Sequence, residues 1–273
     1  MANPVFTRSV YTERPGMREY GPPVGFHDAP AYSAPPDAST LEAAWEAGTA
    51  TRYHTGRLSY EDVIIKTAGL LALVLVGGVA GWVYPVLALP GCLIGLVLGL
   101  VCAFRREPKP GLMSIYAVFE GMMLGGASRY FEESAGGIVL QAVVATLATF
   151  VVVLLLFSSG KVRTSPRGRR IVLAAMGGYV LFSLINLALV WTGVLPDFGL
   201  RSMEIGGMPA GLVISILAVL LGAYSLVMDF EMIKLGVEGG IDRRYAWTGA
   251  FALTVTLIWL YLEFLRILGH LRR

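Results

Sequence analysis

The sequence predicts an all-α membrane protein with seven transmembrane helices. Three observations carry this. Hydrophobic residues make up 55% of the 273-residue chain and charged residues only 15%, where soluble domains carry about 25% charge. Apolar runs close to the ~20 residues needed to cross a bilayer recur from residue 64 onward. The basic residues gather in alternate connections between those runs, as retention of Lys and Arg in the cytoplasm requires.

The elements follow in order. Residues 1–58 read as a disordered cytoplasmic tail and residues 59–273 as one membrane domain. Seven of the 14 prolines lie before residue 50, in a composition that buries too little apolar surface to offset chain entropy. The first 60 residues hold no apolar core of signal-peptide length, so the first span serves as its own insertion signal. Ser39-Thr40-Leu41-Glu42 resembles a capping box before a short helix through Trp45. Ser59-Tyr60-Glu61-Asp62 is a second helix start, just before the apolar body.

The seven spans are 64–84, 86–104, 111–131, 136–157, 170–194, 208–227 with a helical extension, and 247–268. The second connection carries Arg105, Arg106 and Lys109. The fourth carries Lys161, Arg163, Arg167, Arg169 and Arg170, and the sixth Lys234, Arg243 and Arg244. The first has no charge, and the third and fifth hold one arginine each, Arg129 and Arg201, beside acids. This places the N-terminus in the cytoplasm and, after seven passes, the C-terminus outside. The basic end, His270-Leu271-Arg272-Arg273, keeps a re-entrant last helix as the competing topology.

Gly91, Gly95 and Gly99 form a small-residue stripe on the second span, and Gly121 and Gly125 another on the third. Such stripes let helices approach closely in lipid. Cys92 and Cys102 share one span and read as buried apolar groups. The net charge of +3 is small and gives no footprint for a nucleic-acid partner; the lipid bilayer is the partner that the composition requires.

Ionisable groups inside spans cost about 2.5–3.5 kcal/mol on insertion scales and mark functional positions. Here they are Glu120 in the third span, Asp229 and Glu231 at the end of the sixth, and Glu263 and Arg266 in the seventh. Acids on three helices that converge inside a bundle suit proton sensing, or binding of a hard cation by oxygen ligands. Plainer readings stand beside this one. Glu263 and Arg266 lie one turn apart and can neutralise each other. Asp229 and Glu231 can be solvated at the inner end, and Glu120 can be a lone acid bonded to a neighbouring helix. An enzyme lacks its parts. His27, His54 and His270 cannot cluster on a metal. There is no Gly-x-x-x-x-Gly-Lys-[Ser/Thr] phosphate loop and no Gly-x-Ser-x-Gly elbow. No lysine lies within the seventh span to hold retinal.

Four stretches resemble one known family. They are 59–67 (Ser-Tyr-Glu-Asp-Val-Ile-Ile-Lys-Thr), 116–125 around Glu120-Gly121, 228–233 around Asp229, and 259–268 around Glu263. In order and spacing they are similar to the Bax inhibitor-1/YccA family of seven-span proteins, from Leu58 to the C-terminus. The long tail and the Gly-, Ala- and Arg-rich style look like an actinobacterial-type member. The resemblance implies a seventh helix surrounded by the first six. It also implies a pH-sensitive Ca²⁺ leak gated by protonation of a carboxylate pair on the sixth and seventh helices. That pair is Asp229 and Glu263, which are also the implied Ca²⁺ ligands, with Ca²⁺ the transported ion rather than a cofactor. Glu120, Arg105 or Arg106, Arg266 and Glu231 would support the pore or gate. Gly95 stands near a position where a studied relative carries a glutamate. The alternative function is an interaction protein that regulates a membrane protease or other membrane complex. The spacing strains direct contact in the pair. Asp229 lies about ten residues from the middle of the inner loop and Glu263 just over twenty, a depth difference of roughly 15 Å at ~1.5 Å per residue.

Overall fold

The computed structural model describes residues 56–195, 199–205 and 207–272. Seven α-helices run through them: α1 Tyr60–Val83, α2 Ala88–Phe104, α3 Pro110–Ser134, α4 Ile138–Ser158, α5 Pro166–Trp191, α6 Ala210–Glu238 and α7 Ala246–Leu271. Each expected span is matched by one of them. The short helix expected after Ser39, and the tail up to residue 55, lie outside the described residues.

Local chemistry sets the helix starts. The Ser59 hydroxyl accepts from the Asp62 backbone N–H at 3.1 Å, which caps α1. Ser165 does the same for α5 from Gly168, with Pro166 in the first turn. Pro110 opens α3. The tight turn into α4 passes through Gly137, whose φ of 81° an L side chain rarely adopts.

Six helices are long and apolar enough to cross a membrane. The seventh, α3, has 25 residues, enough for a crossing at ~1.5 Å per residue. Glu120, Arg129, Glu132, Glu133 and its glycines dilute its hydropathy. It tolerates them because it sits between neighbours: α1 and α2 both pack along it.

Half of the most apolar 18-residue stretch of α7 is buried, against 6% for α5. α7 is therefore the central helix. α1, α3, α4 and α6 pack on it directly, while α2 rides on α3 and α5 on α6. One core joins Leu58, Leu226, Ala246 and Leu260; another joins Leu70, Ala117, Phe251 and Ile258. Leu75, Val79, Leu140, Leu155, Leu181 and Leu220 face outward, as side chains against lipid tails do.

The α1–α3 contact is backbone on backbone. A Cβ on Gly81 would fall on the Met122 carbonyl, and one on Gly125 on the Gly78 carbonyl. The α2 stripe meets α3 as the sequence suggested: Gly91 faces the Phe119 carbonyl, Gly95 the Glu120 side chain and Gly99 the Tyr116 ring.

The ends of the bundle sort as the charge pattern requires. Leu58 N–H donates to the Ile241 carbonyl at 2.8 Å, and Arg243 N–H to Gly56 at 2.9 Å. The Arg243 guanidinium grips Asp62 through two 2.7 Å contacts. Arg244 reaches Glu107, at 3.7 Å. The start of α1, the α2–α3 connection and the α6–α7 connection thus share one end. At the other end, Arg129 donates to the Trp82 carbonyl at 3.0 Å and Arg272 to Gly136 at 2.6 Å. α7, at 26 residues, spans ~39 Å between the two ends. It is a full pass, not a re-entrant hairpin, so the C-terminus lies opposite the start of α1.

Gly56–Leu58, assigned to the tail by composition, are held against the α6–α7 connection, with Leu58 only 2% exposed. Deleting residues 1–36 is therefore expected to leave thermal stability unchanged. Deleting residues 1–58 should lower it, by about 1–3 kcal/mol for the lost Leu58 burial and paired backbone. Thermal unfolding of the two truncations in detergent checks this.

Candidate functional site

Asp229 lies on α6, nine residues before its end at Glu238. A carboxyl at that depth needs a partner, and α7 supplies one. The Thr256 hydroxyl donates to Asp229 Oδ2 at 2.7 Å, a direct latch between the sixth and seventh helices. Among the described residues no Lys, Arg or His forms an ion pair with Asp229. Asp229 and Thr256 line a cavity of about 250 Å³ bounded by α2, α3, α5, α6 and α7. Met113, Met176, Met228 and Met232 soften its walls. Arg105 and Arg169 also line it, both from the end that carries the start of α1. The cavity therefore leads from the basic end of the bundle to a buried acid.

Glu263 lies elsewhere. It is seven residues beyond Thr256 on α7, roughly 10 Å along the axis, and it is 1% exposed. Its Oε1 accepts from the Tyr179 hydroxyl of α5 and from Arg266 Nη1. Arg266 Nη1 is also 3.1 Å from the Tyr179 oxygen. A second guanidinium enters from the α5–α6 connection, where a 3-10 turn, Gly199–Ser202, carries Arg201. Arg201 Nη2 donates to the Tyr179 hydroxyl at 2.9 Å and to Ser183 Oγ at 3.1 Å. The Tyr179 hydroxyl so donates once and accepts twice, its full capacity.

The two acids of the expected gate pair therefore have separate partners, and no bond joins them. The depth difference read from the sequence is real, though closer to 10 Å than 15 Å. They form no single Ca²⁺ ligand set: among the described residues, no three His, Cys, Asp or Glu side chains gather where a metal ion would sit. Glu263 is committed to Arg266, as the plainer reading of that pair allowed.

The remaining expected positions spread over the bundle. Glu231 takes the Thr164 hydroxyl and Arg169 Nη2, the latter at 3.2 Å, and so ties the α4–α5 connection to α6. Glu120 faces α2, where the missing side chain of Gly95 makes room for its carboxyl. Arg105 lines the Asp229 cavity; Arg106 is exposed beside it in the connection. Sequence reasoning missed Thr256, Tyr179, Ser183 and the inward reach of Arg201. For Arg201 there was a signal: it is a basic residue in a connection that the charge alternation assigns to the outer side. A threonine or tyrosine in a span gives no such sign.

The sequence matches the family described as Bax inhibitor 1 like over residues 3–273. A comparison with curated proteins gives no match.

Proposed function

The chain belongs to the Bax inhibitor 1-like family, and from that premise we propose that it is a pH-sensitive leak channel for cations, Ca²⁺ first, in a bacterial plasma membrane. One observation carries this reading: a buried carboxyl with no basic partner among the described residues, at the wall of a cavity that opens toward the basic end. Such a group holds a proton or meets a cation, and the two states compete. When Asp229 holds its proton it can also bond within the bundle, and the α6–α7 contact at Thr256 is latched. Ionised, its oxygens favour a hard cation arriving through the cavity, and that cation competes with the Thr256 hydroxyl for the carboxylate and so loosens the latch. Ca²⁺ is cargo in this scheme.

Glu263 acts on the same central helix from the other half of the membrane. Its carboxylate holds Arg266 and Tyr179 and fixes where α7 sits against α5. The gate then consists of two acids coupled through one helix, rather than a shared proton. No step needs a cofactor or a reaction.

Ca²⁺ uptake into liposomes holding only this purified chain tests the proposal. Uptake above that of protein-free liposomes is expected.

The orientation follows from the basic connections at the α1 start, 105–109, 161–170 and 243–244. A fluorescent protein that folds only in the cytoplasm is expected to light up when fused before Met1 and to stay dark after Arg273. The reverse pattern would invert the assignment of the cavity to the cytoplasmic side.

A further inference from the structure

Four of the chain's ten methionines, Met113, Met176, Met228 and Met232, line the Asp229 cavity. One of its two cysteines, Cys102, lines it with them. Sulfur side chains from α2, α3, α5 and α6 thus border one space of about 250 Å³, room enough for an ion.

Register and one bond place the donors. Ser225, Met228, Asp229 and Met232 recur at helical spacing on α6 and share the face turned to the cavity. The Ser225 hydroxyl donates to Met176 Sδ at 3.0 Å, which sets the α5 sulfur beside that face. Cys102 lies in the last turn of α2 and Met113 in the first turn of α3, and both belong to one buried cluster. A thioether ends a chain with three rotatable bonds, so its sulfur can turn toward an ion without moving backbone.

Donor chemistry decides the ligand. Thioether and thiolate sulfur select soft ions such as Cu⁺. A held Ca²⁺ takes about six to eight oxygens, whereas only Ser225, Asp229, Thr248 and Thr256 bring side-chain oxygen to this wall. The Ser225 and Thr256 hydroxyls are already engaged. Charge points the same way. A coordinating thiol is deprotonated outright, and its proton leaves through the cavity mouth. The Cys102 thiolate then neutralises a monovalent ion without any charge from Asp229. A divalent ion would keep an excess charge inside an apolar bundle.

We propose that Cys102, Met113, Met176, Met228 and Met232 form a binding site for a soft monovalent cation, Cu⁺ by chemistry and Ag⁺ as its redox-stable probe. The site needs only the donors of the cavity and stands whether or not the bundle conducts.

Silver nitrate titrated into the full chain in nanodiscs, in chloride-free buffer with empty nanodiscs as the blank, tests it. Cys92→Ala is the background, so that Cys102 is the one thiol present. One Ag⁺ bound per chain and a saturable rise in Tm are expected, and a large excess of calcium nitrate should not displace the ion. Met228→Leu with Met232→Leu removes two sulfurs and keeps the volume. It should weaken binding at least about tenfold, the loss that even indirect supports of a metal site produce. Met203→Leu, 59% exposed and outside the cavity, should leave binding unchanged. Absence of Ag⁺ binding would overturn the proposal, as would displacement by Ca²⁺. So would equal affinity in the double methionine variant, which would mean capture by a lone thiol. Should that variant fail to fold, Met176→Leu is read in the same way.

Discussion

Asp229→Asn is expected to give a folded bundle whose cation leak no longer follows pH. Asparagine has the shape of aspartate and keeps an oxygen to accept from Thr256, so the contact between α6 and α7 persists. What it lacks is the ability to gain or lose a proton. A difference of about 1.4 kcal/mol in latch strength between the two protonation states changes a gate equilibrium tenfold, and asparagine removes that difference. The pH-driven change in flux should therefore collapse to within about a factor of two, whatever the basal rate becomes. Glu263→Gln should behave differently. It takes the counter-charge from Arg266, whose side chain is 30% exposed, so the loss should fall below the ~3–5 kcal/mol of a fully buried pair. Its first symptom should be a lower Tm. Because the two acids share no partner and lie roughly 10 Å apart along the bundle, their effects on stability should nearly add. Flux and unfolding measured on the two single variants and the double variant check all three statements. A native pH profile in Asp229→Asn would reduce that carboxyl to a structural group.

The second large effect is expected at the α1–α3 contact. Gly81→Ala and Gly125→Ala each place a methyl on a backbone carbonyl of the facing helix. Backbone cannot rotate aside, so the helices must part along their length. Overpacking typically costs about 1–3 kcal/mol, and these positions belong at the top of that range. Gly95→Ala meets the end of the Glu120 side chain, which can swing away, and should cost less. Gly69→Ala meets nothing within 4 Å and should match the native chain or exceed it slightly, since alanine favours helix more than glycine. Thermal unfolding in detergent ranks the four. If Gly81→Ala and Gly69→Ala melt together, the close approach of α1 and α3 is absent from the folded protein.

Much of the architecture was legible in the sequence because lipid imposes coarse rules. Each apolar run became one helix, and Ser59 marked the start of the first through backbone capping that needs no tertiary context. α3 was legible as an apolar run despite its diluted hydropathy, and the stripe of Gly121 and Gly125 read on it lies against α1. The site was legible only in its acids. Asp229 and Glu263 stood out as charges inside spans, but which group each one meets depends on helix rotation and tilt. Spacing along one chain does not encode these. Thr256 was invisible as a partner because a hydroxyl in a span bonds its own helix as readily as a neighbour, as Thr254 does with Ala250 at 2.8 Å. Arg201 was placed in a connection by charge counting, which is blind to how far a loop side chain folds back between helices.

The measurement that bears most directly on the proposed leak is the initial rate of Ca²⁺ uptake into liposomes containing only this chain. It would be followed from acid to alkaline pH at a fixed Ca²⁺ gradient, with protein-free liposomes alongside. The proposed mechanism predicts uptake above the blank that rises as Asp229 loses its proton, and a flat profile for Asp229→Asn. Uptake equal to the blank at every pH would contradict it, and would leave an interaction protein that acts on another membrane complex as the function to pursue.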